Sequence, residues 1–127
     1  MNRGWLFIGA LSAAIAVGLG AFGAHGLRSV LTPDMLAVFE TGVRYQMYHA
    51  LALVALGLAD SARLGRLAKV AGGLFVAGSV CFSGSLYLLT LAGTKGIGLV
   101  TPLGGVMLLA GWLVLAIAAL KAAPGSR

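Results

Sequence analysis

Four apolar runs, separated by short polar or glycine-rich breaks, constrain this chain more than any other feature. They cover about residues 5–24, 41–59, 67–92 and 101–120. Each approaches the roughly 20 residues that a helix needs to cross a bilayer. Only 9% of the residues are charged, against about 25% in a soluble domain. A chain so poor in charge cannot cover a water-facing surface. The expectation is one transmembrane domain over residues 1–127, all-α, folded as an integral membrane four-helix bundle.

Helix punctuation supports that reading. Thr32-Pro33-Asp34 supplies an N-cap hydroxyl, a proline at the first helical position and an acid in the first turn. The helix carrying the second span therefore starts near Pro33, and its first turns form an interfacial extension before the span proper. Thr101-Pro102 suggests the same device at the start of the fourth span. Asp60, Arg63, Arg66 and Lys69 read as a polar hairpin between spans two and three. Residues 93–98, Gly-Thr-Lys-Gly-Ile-Gly, read as a glycine-rich turn before span four.

The cations set an orientation. Arg3, Arg63, Arg66, Lys69, Lys121 and Arg127 fall on one side, and Arg28, Arg44 and Lys95 on the other. The side richer in Lys and Arg faces the cytoplasm, which places both termini there. Arg3, the apolar run behind it and Ala21-Phe22-Gly23 also fit a secretory signal. The length of the run favours an uncleaved span.

In hydrocarbon every polar side chain needs an explanation. With this topology His25 follows the outer end of span one, and Glu40 and Arg44 lie near the outer end of span two. Tyr87 lies toward the outer end of span three, so these groups are expected to gather on one rim. Glu40 and Arg44 are spaced i, i+4 with the acid first, the favourable order for a helical ion pair. The pair reads either as an interfacial anchor or as a contact for a ligand or partner. His49 lies nine positions beyond Glu40, about 13 Å further along the helix and near the bilayer midplane. Its imidazole would either hydrogen-bond to a neighbour, Tyr45 being one turn earlier, or titrate in a proton or ligand path. His25, Glu40, Arg44, Tyr45, His49 and Tyr87 are thus the candidate contact residues. Trp5, Tyr48, Tyr87 and Trp112 fit interfacial belts and packing equally well.

Other signals carry less. Gly18-Leu19-Gly20-Ala21-Phe22-Gly23 matches a dinucleotide-binding pattern, but it lies inside an apolar span without the strand that motif needs. Ala16, Gly20 and Ala24, and likewise Gly73, Ala77, Cys81 and Ser85, recur every four residues and suggest close helix packing. The three acids, Asp34, Glu40 and Asp60, are too few for a di-carboxylate metal site. Ser83 and Ser85 show no activating base, so no catalytic residue, metal or cofactor is expected. The net charge of +6 is dispersed, with no basic run interleaved with aromatics, which argues against nucleic-acid binding. Cys81 is alone and forms no intrachain disulfide.

Residues 20–27, Gly-Ala-Phe-Gly-Ala-His-Gly-Leu, resemble the first signature of domain-of-unknown-function family 423, whose eukaryotic relatives include transmembrane protein 256. Residues 39–50, from Phe39 to Ala50, resemble its second and most specific signature. Ser83-Gly84-Ser85-Leu86-Tyr87 and Thr101-Pro102-Leu103-Gly104-Gly105 resemble the remaining two. The resemblance covers nearly the whole chain in the right order. It implies a small multi-span protein of the bacterial inner membrane and supplies neither substrate nor catalytic role. The leading expectation is a non-enzymatic interaction, lipid-binding or membrane-integrity component, in contact with membrane lipids, a second copy or a membrane-protein partner. The alternative is a small oligomeric transporter or channel that uses the polar cluster. An enzyme would require a wet pocket that brings His25, Glu40 and His49 within hydrogen-bond reach.

Overall fold

In hydrocarbon a chain has no water to satisfy its N–H and C=O groups, so an apolar run folds as a helix that satisfies them internally. The computed structural model describes residues 1–122, apart from the side chain of Ser61. Arg127, one of the cations counted for orientation, lies outside them. The described residues form four helices: α1 Arg3–His25, α2 Pro33–Leu58, α3 Ser61–Leu91 and α4 Val100–Leu120.

Local chemistry explains most of the ends. The Trp5 amide donates to Asn2 Oδ1 at 3.1 Å and opens α1. The Met35 amide donates to Thr32 Oγ1 at 3.2 Å, ahead of Pro33, and opens α2. That helix then runs unbroken to Leu58, so the interfacial turns and the second span are one element. Asp60 caps α3 by accepting from the Ala62 amide at 3.1 Å. The polar hairpin expected around Asp60–Lys69 is therefore mostly the start of α3, interrupted at Gly65 (φ 70°). Positive φ at Gly93 (64°) and Gly96 (94°) shapes the α3–α4 turn, where a side chain would be strained. Thr101 does not cap α4. The helix begins at Val100, with Leu99 at the cap position and no side-chain bond there. The Thr101 hydroxyl instead meets Ser85 Oγ of α3.

The helices run alternately up and down, and the extensive interfaces join consecutive helices: α1 with α2, α2 with α3, α3 with α4. This leaves α2 and α3 inside and α1 and α4 outside. Backbone approaches set the registers. A Cβ at Gly57 would lie 2.5 Å from the Leu6 nitrogen, and one at Gly9 would lie 2.7 Å from the Val54 nitrogen, so α1 and α2 nearly touch. A Cβ at Gly104 would collide with the Phe82 nitrogen, and one at Gly78 would lie 2.7 Å from Leu108 Cδ2, so α3 and α4 do the same. The first residues are tied to this scaffold, with the Asn2 amide donating to the Gly57 carbonyl at 2.8 Å.

The small-residue stripe on α3 needs revision. Gly73 is exposed, with nothing within 4 Å of its Cβ position. Its neighbour Gly72 carries the packing instead, and a Cβ there would lie 2.6 Å from Trp5 Cζ2. Cys81 and Ser85 do face α4, through Gly104 and Thr101.

Large apolar side chains cover the outside, among them Phe7, Val17, Val80, Val106, Leu109 and Leu113. A contiguous surface of that kind belongs in lipid. Three helices, α1, α3 from Ala62 onward, and α4, are long and apolar enough to cross a membrane. The fourth, α2, is less apolar and carries Glu40, Arg44, Gln46 and His49. It is also an inner helix. Gln46 and His49 are only 9% and 4% exposed, because α1, α3 and α4 pack over them.

Candidate functional site

Two polar networks leave α2 in different directions. In the first, Gln46 Nε2 donates to the Ser12 carbonyl at 3.0 Å, with Ser12 Oγ at 3.3 Å. The Tyr87 hydroxyl donates to Gln46 Oε1 at 2.6 Å. One amide side chain thus links α1, α2 and α3. The Tyr87 ring packs on Phe39, centroid to centroid 5.4 Å. Beside them Ser83 Oγ donates to the Gly42 carbonyl at 2.7 Å. Gly42 makes room for the Tyr87 ring, since a Cβ would lie 2.9 Å from Cε1.

The second network faces α4. Trp112 Nε1 donates to His49 Nε2 at 3.0 Å, so Nε2 must offer its lone pair. The imidazole proton then sits on Nδ1 and points at the Tyr45 carbonyl, 2.6 Å away. Both ring nitrogens are occupied by the protein. Phe75 closes the cluster from α3, with ring centroids 5.5 Å from His49 and 4.8 Å from Trp112.

Because α2 and α4 both pack on α3, a trough lies between them. It encloses about 680 Å³, within the range of roughly 300–1,000 Å³ typical of ligand sites. Tyr45, Tyr48 and His49 line one wall, Gly105, Val106 and Trp112 the other, and Phe82 contributes from α3. The Tyr45 and Phe82 rings lie 4.8 Å apart. The lining is hydrocarbon and aromatic rings with two phenol groups, and it holds no nucleophile next to an unoccupied base. Such a site can bind an apolar group.

Of the six candidate residues, Tyr45 and His49 meet in this groove, and Tyr87 joins Gln46 instead. Glu40 and Arg44 stand apart as a loose pair, 3.9 Å between Oε2 and the guanidinium, with side chains 44% and 66% exposed. A pair so open contributes little to stability. His25, the last residue of α1, is exposed. Among the described residues no hydrogen bond joins His25, Glu40 and His49, and no group of three His, Cys, Asp or Glu side chains is placed to hold a metal ion. Gln46, Ser12 and Trp112 are the partners that sequence reasoning missed. Gln46 carried a readable signal as an amide in an apolar span. Ser12 and Trp112 become partners only through helix register.

A double substitution tests the first network. Gln46→Leu and Tyr87→Phe should each lower stability in detergent by about 1 kcal/mol. The double variant should lose clearly less than the two losses added, because the two groups share one bond. Unfolding in sodium dodecyl sulfate measures all three.

With this geometry in view, comparison with known proteins is decisive on one point. Residues 19–105 match the family model described as protein of unknown function (DUF423). The chain belongs to this family. A UPF0382 membrane protein of Staphylococcus aureus strain RF122 is 46% identical over 117 residues, covering 92% of this chain and 95% of the relative. The UPF0382 membrane protein YwdK of Bacillus subtilis strain 168 is 47% identical over 120 residues, covering 92% and 96%. No solved structure matches. The protein is therefore a small membrane protein of a family without an established molecular function. The family match includes Tyr45, Tyr48, His49, Phe82 and Gly105 of the groove and ends before Trp112.

Proposed function

We propose that this protein is a non-enzymatic, lipid-binding component of the bacterial plasma membrane that holds one hydrocarbon chain of a membrane lipid in the α2–α4 groove. The observation that carries this reading is the groove itself: about 680 Å³, walled by rings and aliphatic side chains, between α2 and α4. Its one imidazole has both nitrogens committed to Tyr45 and Trp112, which supports binding without chemistry. The cation count supports cytoplasmic termini. The groove then runs from His49, near mid-membrane, toward Pro102 at the outer end of α4, and its occupant comes from the outer leaflet.

Gly105→Leu tests the proposal. A Cβ at Gly105 would be in ordinary contact with Phe82, 3.7 Å from Cδ1, so a larger side chain enters the groove without pushing the helices apart. The variant should keep its thermal stability in detergent and bind a fluorescent polyene-chain lipid at least about tenfold more weakly, a loss of about 1.4 kcal/mol. Equal affinity in both proteins would refute the groove as the binding site.

A further inference from the structure

A second crevice lies at the opposite end of the molecule from the mouth of the groove. It exists for the same architectural reason: α1 and α3 both pack on α2 and leave a gap between themselves. It encloses about 300 Å³ and is lined by Asn2, Gly4, Trp5 and Ile8 from the start of α1 and by Lys69 of α3. Trp5 forms its inner wall, and the indole reaches α3 only because Gly72 has no side chain. A tryptophan at this depth is suited to the boundary between hydrocarbon and headgroups.

Charge distinguishes this crevice from the groove. Lys69 is part of its lining. Arg66 lies one helical turn earlier on α3, just after the break at Gly65, and Arg3 sits in sequence between the lining residues Asn2 and Gly4. The one acid at this end of the molecule is Asp60, and Arg63 already engages it at 3.2 Å. Among the described residues Arg3, Arg66 and Lys69 have no carboxylate partner. Lys69, a cation without a carboxylate partner among the described residues, therefore lines a slot whose walls include an indole and an isoleucine, with Arg3 and Arg66 close to it in sequence.

We infer that this crevice is a headgroup site for an anionic phospholipid of the leaflet on the Arg3–Lys69 side. Its phosphate is held by Lys69, flanked by Arg3 and Arg66, and one acyl chain lies along Trp5 and Ile8. The charge requires an anion, and the apolar wall requires that the anion carry a chain. A zwitterionic lipid brings an ammonium group into the same cationic field and loses that advantage. Each cation near a lipid headgroup strengthens binding about fivefold.

The test uses the full chain in detergent and counts bound lipid by native mass spectrometry. The probes are phosphatidylglycerol and phosphatidylcholine with identical chains, and sn-glycerol 1-phosphate as the chainless anion. Phosphatidylglycerol should be retained at least tenfold better than phosphatidylcholine. Lys69→Gln should weaken its retention about fivefold, Lys69→Arg should restore it, and Lys121→Gln, which removes a cation at the same end outside the crevice, should leave it unchanged. Equal retention of the two lipids would overturn the inference. So would displacement of the lipid by millimolar glycerol phosphate, or an equal loss from Lys69→Gln and Lys121→Gln, which would mark diffuse surface charge. In Gly105→Leu, where the groove is blocked, the preference for phosphatidylglycerol over phosphatidylcholine and its dependence on Lys69 should persist, which separates failure of this site from failure of the groove.

Discussion

Gly104→Val should separate α3 from α4 and cost about 3 kcal/mol of stability, the upper range for overpacking a tight interface. The reason is the collision partner. At most positions an added methyl meets the far end of a flexible side chain, which can rotate away. At Gly104 it meets the Phe82 nitrogen and the Cys81 carbonyl carbon, both backbone, and only a shift of a whole helix relieves that. Gly57→Val should behave alike at the other interface, because its Cβ would lie 2.5 Å from the Leu6 nitrogen and 2.7 Å from Leu6 Cα. Gly73→Ala is the matched control. It faces open space, so stability should hold or rise by up to about 1 kcal/mol as backbone entropy is restrained in the unfolded state. Unfolding of the purified proteins in mixed micelles ranks all three. In lipid, helices associate through close packing rather than a hydrophobic drive, so interfaces that nearly bring backbones together should be the most sensitive to volume.

Phe75→Ala should be nearly as damaging, costing about 3 kcal/mol. Phe75 is fully buried where α2, α3 and α4 meet, in a cluster with Ala52, Leu53, Leu56, Ala71 and Leu108. Its ring packs on His49 and Trp112, and it fills the space that Gly111 leaves open, where a Cβ would lie 2.7 Å from Cε1. Truncation leaves a void that neither glycine nor alanine neighbours can fill, and removes two aromatic contacts worth about 0.5–1.5 kcal/mol each. The void opens beside the groove, so the variant should also accept a bulkier apolar probe than the parent. Phe75→Leu should recover more than half of the lost stability.

The helices were legible in the sequence because run length and end chemistry are local properties. Thr32-Pro33-Asp34 begins α2 as its residue types require, and the apolar spacing delivers the remaining spans. Thr101 shows where local reading stops. It has the chemistry of a cap, but Ser85 of α3 lies within reach, and that tertiary partner holds its hydroxyl. The candidate site divides along the same line. Tyr45, His49 and Tyr87 stood out as polar groups in apolar runs. Their partners did not, because which residue of α4 meets His49 depends on where Gly78 and Gly104 lock the α3–α4 register. Gly72 and Gly73 are adjacent on a helix and differ only by a rotation of about 100°. One admits Trp5 and the other faces outward, a choice that four-residue spacing does not encode. Gln46 carries no charge, so a search for ionisable groups passes over the residue that ties three helices together.

The central claim is that α2, which is less apolar than the three span-like segments, crosses the bilayer because its neighbours satisfy and cover Gln46 and His49. Labelling single cysteines on intact cells with a membrane-impermeant maleimide tests it most directly. On a Cys81→Ala background, Ser29→Cys lies before α2, Ala62→Cys lies after it, and Gly98→Cys lies in the α3–α4 turn with open space around it. Ser29→Cys and Gly98→Cys should react from the same side, and Ala62→Cys only from the other, after permeabilisation. Reaction of Ser29→Cys and Ala62→Cys from one side would mean that α2 does not cross, and would contradict the account.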